Sequence, residues 1–569
     1  MSDSDDQEHP LNLVIYWHMH QPEYRNLDTG EYHLPWTYLH TIKDYVDMAA
    51  HLEDCEQARA VVNFAPVLLE QIDDYSQQLS NYLHYGRDLR DPLMAALANS
   101  EMPQGSNARI HIIRSCLRAN EERLINRFKP FKKLAAVAKS ILVDHAMVSY
   151  YTDQFLADLL VWYHLSWIAE TVRRQDSRVK TLMKKGGLYT PQDRRLLIEL
   201  MHELISGVIG RYRHLAEQGR IELSMTPYAH PIVPLLLDIK SAEQAMPDVT
   251  LPEVNDYPGG KQRSQWHMKK GVEVFKKHFG FPPQGCWPSE GSISGEMVEL
   301  LSDMNIKWMA SGETVLRNSL SRSNMSDSDC RHQTYQYRDT SPSLFFRDDG
   351  LSDLIGFKYS DWHADDAIAN LIRHLEDIHE SCKDKPEAIV SIILDGENAW
   401  EYYPENAYYF LSTLYKKLSE NKGIRMTTYS EYLLNVSNKT TLPELVAGSW
   451  VYGTFSTWIG ERDKNTAWEM LIAVKQVYDR VMAEDNLSLD IRKRAEMQLA
   501  TCESSDWFWW FGEYNSAESV ASFDKQYRMH LANLYQIMDE PAPAYLHKAF
   551  SFGSGDALAS GTMLPGKKQ

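Results

Sequence analysis

Short, almost continuously apolar runs recur along the chain, each closed by polar or turn-forming residues. The first is Leu11 to Trp17, followed by His18-Met19-His20-Gln21-Pro22. A run this short and this apolar predicts a strand covered on both faces, and the proline stops its pairing. The same pattern predicts strands at Ala60–Phe64, Ile221–Met225, Gly285–Trp287, Lys307–Ala310 and Ala388–Leu394. Helical spacing of apolar residues fills 271–279, 294–304, 365–379 and 407–418. Strands alternating with helices indicate a parallel sheet with helices packed outside, either open or closed into a barrel. In such folds catalytic groups gather at the carboxyl ends of the strands.

Two stretches break the alternation. Residues 67 to about 215 are dominated by helical periodicity, so a mainly helical insertion is expected over about 75–200. After the polar segment 436–441, helices are predicted at 464–485, 489–502 and 518–538. The expected organisation is a loose tail over 1–10, a catalytic unit over 11–435, and a helical domain over 436–550. The Gly- and Ser-rich stretch 551–569 is expected to be a second mobile tail. A length of 569 residues fits two or three domains.

Composition narrows the function. A formal charge of −19 argues against nucleic acid and an anionic membrane surface, and fits a neutral substrate better. Aromatic residues make up 11% of the chain, enough to build a large core or to stack on sugar rings. Six cysteines are scattered without CxxC spacing, so neither a zinc ribbon nor a disulfide framework is expected. No secretion-type leader or spanning run is apparent, and the cytoplasm is the default compartment. No cofactor or metal is called for, and the oligomeric state is left open.

Two carboxylates lie where strands end. Asp395 directly follows the strand predicted to Leu394, and Gly396 allows a sharp turn beside Glu397 and Asn398. It reads as a general acid or as part of a metal-binding or salt-bridged loop. Glu290, in Trp287-Pro288-Ser289-Glu290-Gly291, reads as a nucleophile or as a carboxylate near a helix N-terminus. The pair suits cleavage of a glycosidic bond. His18 and His20 fall on one side of a strand end and suit a metal, sugar hydroxyls or core packing. Glu222 sits inside an apolar strand and needs a partner, such as an Arg or His across the site. The cluster Asp506-Trp507-Phe508-Trp509-Trp510 reads as helix packing or as a sugar-stacking wall beside a polar anchor.

Taken in order, these segments resemble glycoside hydrolase family 57. His18-Met19-His20-Gln21-Pro22 matches the first family motif, followed by Pro35 to His40 and Lys43-Asp44-Tyr45. Gly219 to Leu223 is similar to the second. Trp287-Pro288-Ser289-Glu290 resembles the third, which holds the nucleophile. Leu394 to Asn398 resembles the fourth, which holds the general acid/base, and Ser505 to Trp510 the fifth. Segments 346–357 and 456–468 favour the α-amylase and amylopullulanase branch over the branching enzymes.

The resemblance implies an incomplete (β/α)7 barrel with a helical domain against its open face. It also implies a retaining α-glucan hydrolase, with Glu290 as nucleophile and Asp395 as acid/base. The candidate substrate-binding residues are His18, His20, Gln21, Glu222, His230, Trp287, Glu397, Trp458, Asp506, Trp507 and Trp510. A 4-α-glucanotransferase would use the same site. A metal-dependent deacetylase-like or amidohydrolase-like barrel and an inactive glycan-binding protein are the other readings. The chain departs from the family at Gly312, where an acidic residue is usual, and at Asp349, where a basic one is common. The helical insertion is expected to cover the cleft.

Overall fold

The computed structural model describes residues 9–254, 256–326, 331–436, 438–484 and 486–555. The strands are β1 (Leu11–Met19), β2 (Ala60–Phe64), β3 (Ile221–Met225), β4 (Gly285–Cys286) and β5 (Trp308–Ser311). They continue with β6 (Tyr335–Tyr337), β7 (Ser343–Phe346), β8 (Ile389–Asp395), β9 (Ile424–Met426) and β10 (Thr440–Leu442). The strands β8-β1-β2-β3-β4-β5-β7 lie side by side in that order, all parallel. At the end of β7, Arg347 makes a parallel bridge to Ser391 of β8, and the Asp348 N–H donates to the Ser391 carbonyl at 2.8 Å. The sheet thus curls into an incomplete (β/α)7 barrel with a thin seam between β7 and β8. β9 pairs with the first residues of β1, while β6 and β10 extend the sheet beside β7.

The continuous apolar character of β1 follows from this closure. Leu13, Ile15, Trp17 and Met19 face the helices outside, while Val14 and Tyr16 join a separate interior cluster with Val61, Trp287, Trp308, Phe345, Ile389 and Ile393. β1 to β5 are buried along their whole length, so simple polar alternation is lost. β7 was not predicted. It has only four residues and follows Pro342, too short a run to stand out from its surroundings.

Between β2 and β3 the chain is mainly helical from Pro66 to Glu217. The last helix of this insertion, Pro191–Glu217, opens with a capping box between Thr190 and Asp193. It is tied to the barrel unit by the Tyr212 hydroxyl, which donates to the Tyr45 carbonyl at 2.8 Å. Beyond the barrel come helices Arg462–Ala483, Leu489–Cys502, Ser505–Trp510 and Ala517–Ile537. A buried ion cluster joins this helical region to the barrel. Glu503 accepts from Arg263 Nε and Nη2 (2.8 Å each), His267 Nε2 (2.7 Å) and the Tyr257 hydroxyl (2.5 Å). Burial opposes the Glu503 charge, but Arg263 and His267 outweigh it and hold its carboxyl far below the ordinary range.

The two expected tails, 1–10 and 551–569, lie mostly outside the described residues. Ser551 is nevertheless buried and Gly555 bridges to Ser516, so the start of the second stretch packs on the helical region. Cys55, Cys116, Cys286 and Cys502 are free thiols, whereas Cys382 is disulfide-bonded.

Candidate active site

Strand register decides which residues meet. Along β1, Val14 and Tyr16 point into the barrel, so His18, two residues on, faces inward at its carboxyl end. His18 is level with Asn63 of β2 and Asp395 of β8. Its Nδ1 lies 2.7 Å from Asn63 Oδ1, and Asn63 Nδ2 donates to Ser224 Oγ at 3.1 Å. Ile389, Ile393 and Asp395 share one face of β8, which brings Asp395 to the top of the interior. Gly396 is needed for this close fit. Its N–H donates to the His18 carbonyl at 2.7 Å, and a Cβ there would collide with Met19 Sδ.

The same register removes Glu222 from the site. It pairs with Val61, two residues below the Asn63–Ser224 level, and so lies deep in the barrel. The expected Arg or His partner is not there. Glu222 instead accepts from Trp308 Nε1 (2.7 Å), the Ser430 hydroxyl (2.5 Å) and the Ser430 N–H (2.9 Å). Burial outweighs these bonds and raises its pKa, so it acts as an internal brace.

Glu290 follows β4 on a tight turn with φ 56° and ψ 28°, a left-handed conformation that costs a residue with a Cβ about 1–3 kcal/mol. Trp450 holds it there. The Trp450 N–H donates to the Glu290 carbonyl at 3.2 Å, and the indole Nε1 donates to Glu290 Oε2 at 3.0 Å. The reading of Glu290 as a helix-terminal group does not hold, since the following helix is capped by Ser294, which accepts from the Met297 N–H.

Glu290 and Asp395 line one cavity of about 510 Å³, together with His18, His20, Gln21, Glu397 and Trp510. All three carboxyls are raised above their ordinary pKa, chiefly by burial. The Asp395 charge pushes Glu290 and Glu397 further up, whereas the Trp450 indole N–H favours ionised Glu290 and an Asn398 bond (2.8 Å) favours ionised Asp395. Glu397 Oε1 accepts from Gln21 Nε2 at 3.1 Å, while its buried Oε2 has no protein partner.

Three histidines stack across the barrel mouth. The rings of His20 and His230 lie 3.8 Å apart at 17°, and His18 lies 5.3 Å from His230. Burial lowers His18 to about 3 and His230 well below its ordinary value, so both are neutral. His20 Nε2 bonds Asp506 Oδ1 at 2.8 Å, and His230 Nδ1 bonds Ser505 Oγ at 2.9 Å. Asp506 is positioned by the helix Ser505–Trp510, whose cap Ser504 also donates to Asp506 Oδ2 at 2.7 Å. His20, His230 and Asp506 are close enough to offer three ligand atoms to one metal. Stacked rings, however, aim their lone pairs side by side rather than at one point, so the arrangement as it stands suits hydrogen bonding better. His20 Nδ1 and His230 Nε2 have no protein partner and are available for it.

The remaining candidates divide. Trp510 stacks on Phe523 at 4.8 Å and edges the cavity. Trp287 packs on Tyr16 and Trp450 beneath it. Trp458 and Trp507 are buried away from it, and the Trp507 indole donates to the Thr501 carbonyl at 2.7 Å within the helical core. The site list from sequence missed Trp450, Tyr24, Tyr452, Trp509 and Arg347, all in the cavity wall. Trp450 and Trp509 gave a signal as aromatics after 448, and Arg347 lies in the segment 346–357, whereas Tyr24 and Tyr452 gave none. The two family departures are also explained. A Cβ on Gly312 would lie 2.6 Å from Trp450 Cα, which leaves no room for an acidic side chain. Asp349 faces the cavity and is neutralised by Arg347 at 2.8 Å.

A parallel barrel with buried carboxyls at its carboxyl-terminal mouth is an arrangement that suits a glycoside hydrolase-type enzyme. Residues 14–444 match the sequence profile of glycosyl hydrolase family 57, and the chain belongs to that family. No curated protein matches it in sequence. Its fold is similar to a family 57 branching enzyme from Thermococcus kodakaraensis (TM-score 0.54, 15% identity, covering 93% of this chain and 90% of that one). It is also similar to the α-amylase AmyC from Thermotoga maritima (0.54, 12% identity, 93% of each chain). A 4-α-glucanotransferase from Thermococcus litoralis matches at 0.52 and 14% identity, over 93% of this chain and 60% of that one.

Proposed function

We propose that this protein is a retaining α-glucan hydrolase that cleaves α-1,4-glucosidic bonds through a glycosyl-enzyme intermediate. The observation that carries the proposal is the shared cavity of Glu290 and Asp395, with Glu290 fixed by the Trp450 indole. Glu290 attacks the anomeric carbon as the glycosidic C–O bond breaks, and Asp395 passes its proton to the departing oxygen. Water then gives a proton to Asp395, and its oxygen displaces the Glu290 carboxylate. Burial and the Asp395 charge both raise Glu290; a protonated Asp395 removes the second of these, and the Trp450 indole N–H favours the ionised nucleophile. His20, His230 and Gln21 supply polar contacts for sugar hydroxyls. A sugar hydroxyl in place of water would make the same site a 4-α-glucanotransferase. The α-glucan assignment is supported by the branching enzyme, amylase and glucanotransferase that share the fold.

Glu290→Gln and Asp395→Asn, assayed separately on maltoheptaose, test the roles. Each is expected to lose about 10²–10⁴-fold in turnover while remaining folded by circular dichroism. Near-normal turnover in either variant would reject its assignment.

A further inference from the structure

A second cavity of about 370 Å³ opens beside the first and shares Leu394, Asp395, Asn398 and Phe357 with it. Glu290 lines only the first. Asp395 therefore stands in the doorway, with the nucleophile on one side and the second chamber on the other. The far wall comes from the helical insertion, through Asn120 and Arg123, and faces Ser360 and Tyr402.

The chamber is a built structure. The turn Glu121–Ile125 is pinned by buried Leu124 and Ile125. Asn120 Oδ1 caps it by accepting from the Glu122 and Arg123 N–H groups at 3.1 and 2.9 Å. That leaves the Asn120 amide nitrogen as a donor. Arg123 is oriented by its Nε, which donates to the Tyr402 carbonyl at 2.9 Å. Phe357, 44% exposed, sits where the two cavities join and offers an apolar face of the kind that stacks on a pyranose ring.

From this arrangement, and resting on the roles proposed for Glu290 and Asp395, we infer that the second chamber binds the leaving-group end of an α-glucan. In a retaining cleavage the bond that breaks joins the sugar at the nucleophile to the oxygen protonated by the acid. The chain beyond that oxygen must continue on the acid's side, away from the nucleophile. Here that direction leads past Phe357 towards Asn120 and Arg123, whose donors meet sugar hydroxyls. The helical insertion thus selects substrates extended past the cleavage point.

The test compares two substrates in the full-length enzyme. Maltoheptaose can fill the chamber, whereas α-maltosyl fluoride loses a fluoride ion that cannot. Two variants are used: Arg123→Ala, and Asn120→Asp, which keeps the capping oxygen and removes the amide donor. The ratio of kcat/KM for maltoheptaose to that for α-maltosyl fluoride is expected to fall about tenfold in each. A ratio that stays at the wild-type value in both variants overturns the chamber assignment and leaves the catalytic reading standing. A wild-type enzyme that turns over neither substrate overturns both.

Discussion

Trp450→Phe isolates the contact that fixes the proposed nucleophile. The wild-type indole donates to Glu290 Oε2 at 3.0 Å while its ring packs against Trp287 at 5.1 Å. Phenylalanine keeps an aromatic ring there and removes the donor. The backbone bond from the Trp450 N–H to the Glu290 carbonyl is untouched. A hydrogen bond to a charged group contributes about 1.5–3 kcal/mol. At about 1.4 kcal/mol per decade this corresponds to about a ten- to hundredfold loss of kcat/KM where ionisation of Glu290 limits the rate. Losing a bond that favours the charged form raises the proton affinity of Glu290. The acidic limb of the pH profile should therefore move to higher pH, and the deficit should shrink as pH rises. The assay is kcat/KM on maltoheptaose across pH, with the thermal midpoint measured alongside. A variant profile that superimposes on the wild type after scaling would refute the argument, because the indole would then not tune Glu290.

The other predictions concern stability and fit. Glu397→Gln should raise the thermal midpoint at neutral pH. Folded Glu397 binds its proton more tightly than the unfolded chain, so its contribution to stability falls as pH rises above the ordinary carboxylate range. The gain should vanish towards pH of about 4, and a pH-independent gain would contradict it. Glu503 has the opposite sign, since its depressed pKa gives stability above the ordinary carboxylate range that is lost on acidification. Glu503→Gln leaves the buried Arg263 with only Glu496, 3.9 Å away, as counter-charge and should cost about 3–5 kcal/mol in denaturant unfolding, while a change below about 1 kcal/mol would deny the cluster its role. Gly312→Ala should destabilise by about 1–3 kcal/mol and reduce turnover by displacing Trp450, and an unaltered variant would show that this backbone yields freely.

The alternation of strands and helices, the position of the helical insertion and the placing of Asp395 at a strand end were all legible in the sequence. These are local properties, because apolar runs and turn residues carry their own signal. The family was legible there too, through an ordered set of segments that no single motif could establish. Tertiary structure alone decided which polar residues meet. Glu222 and His18 both lie on apolar strands, but register places one in the barrel floor and the other at its mouth. The wall aromatics were not ranked correctly either. Trp507 and Trp458 turn into the core, while Trp450, in a loop with no periodic signal, reaches across to Glu290. Closure of the ring brings together residues hundreds of positions apart, and the loops that cross its mouth are set by that closure rather than by their own composition. The chamber beyond Asp395 has the same origin, since the insertion is visible as helices in the sequence but meets the cleft only in the folded chain.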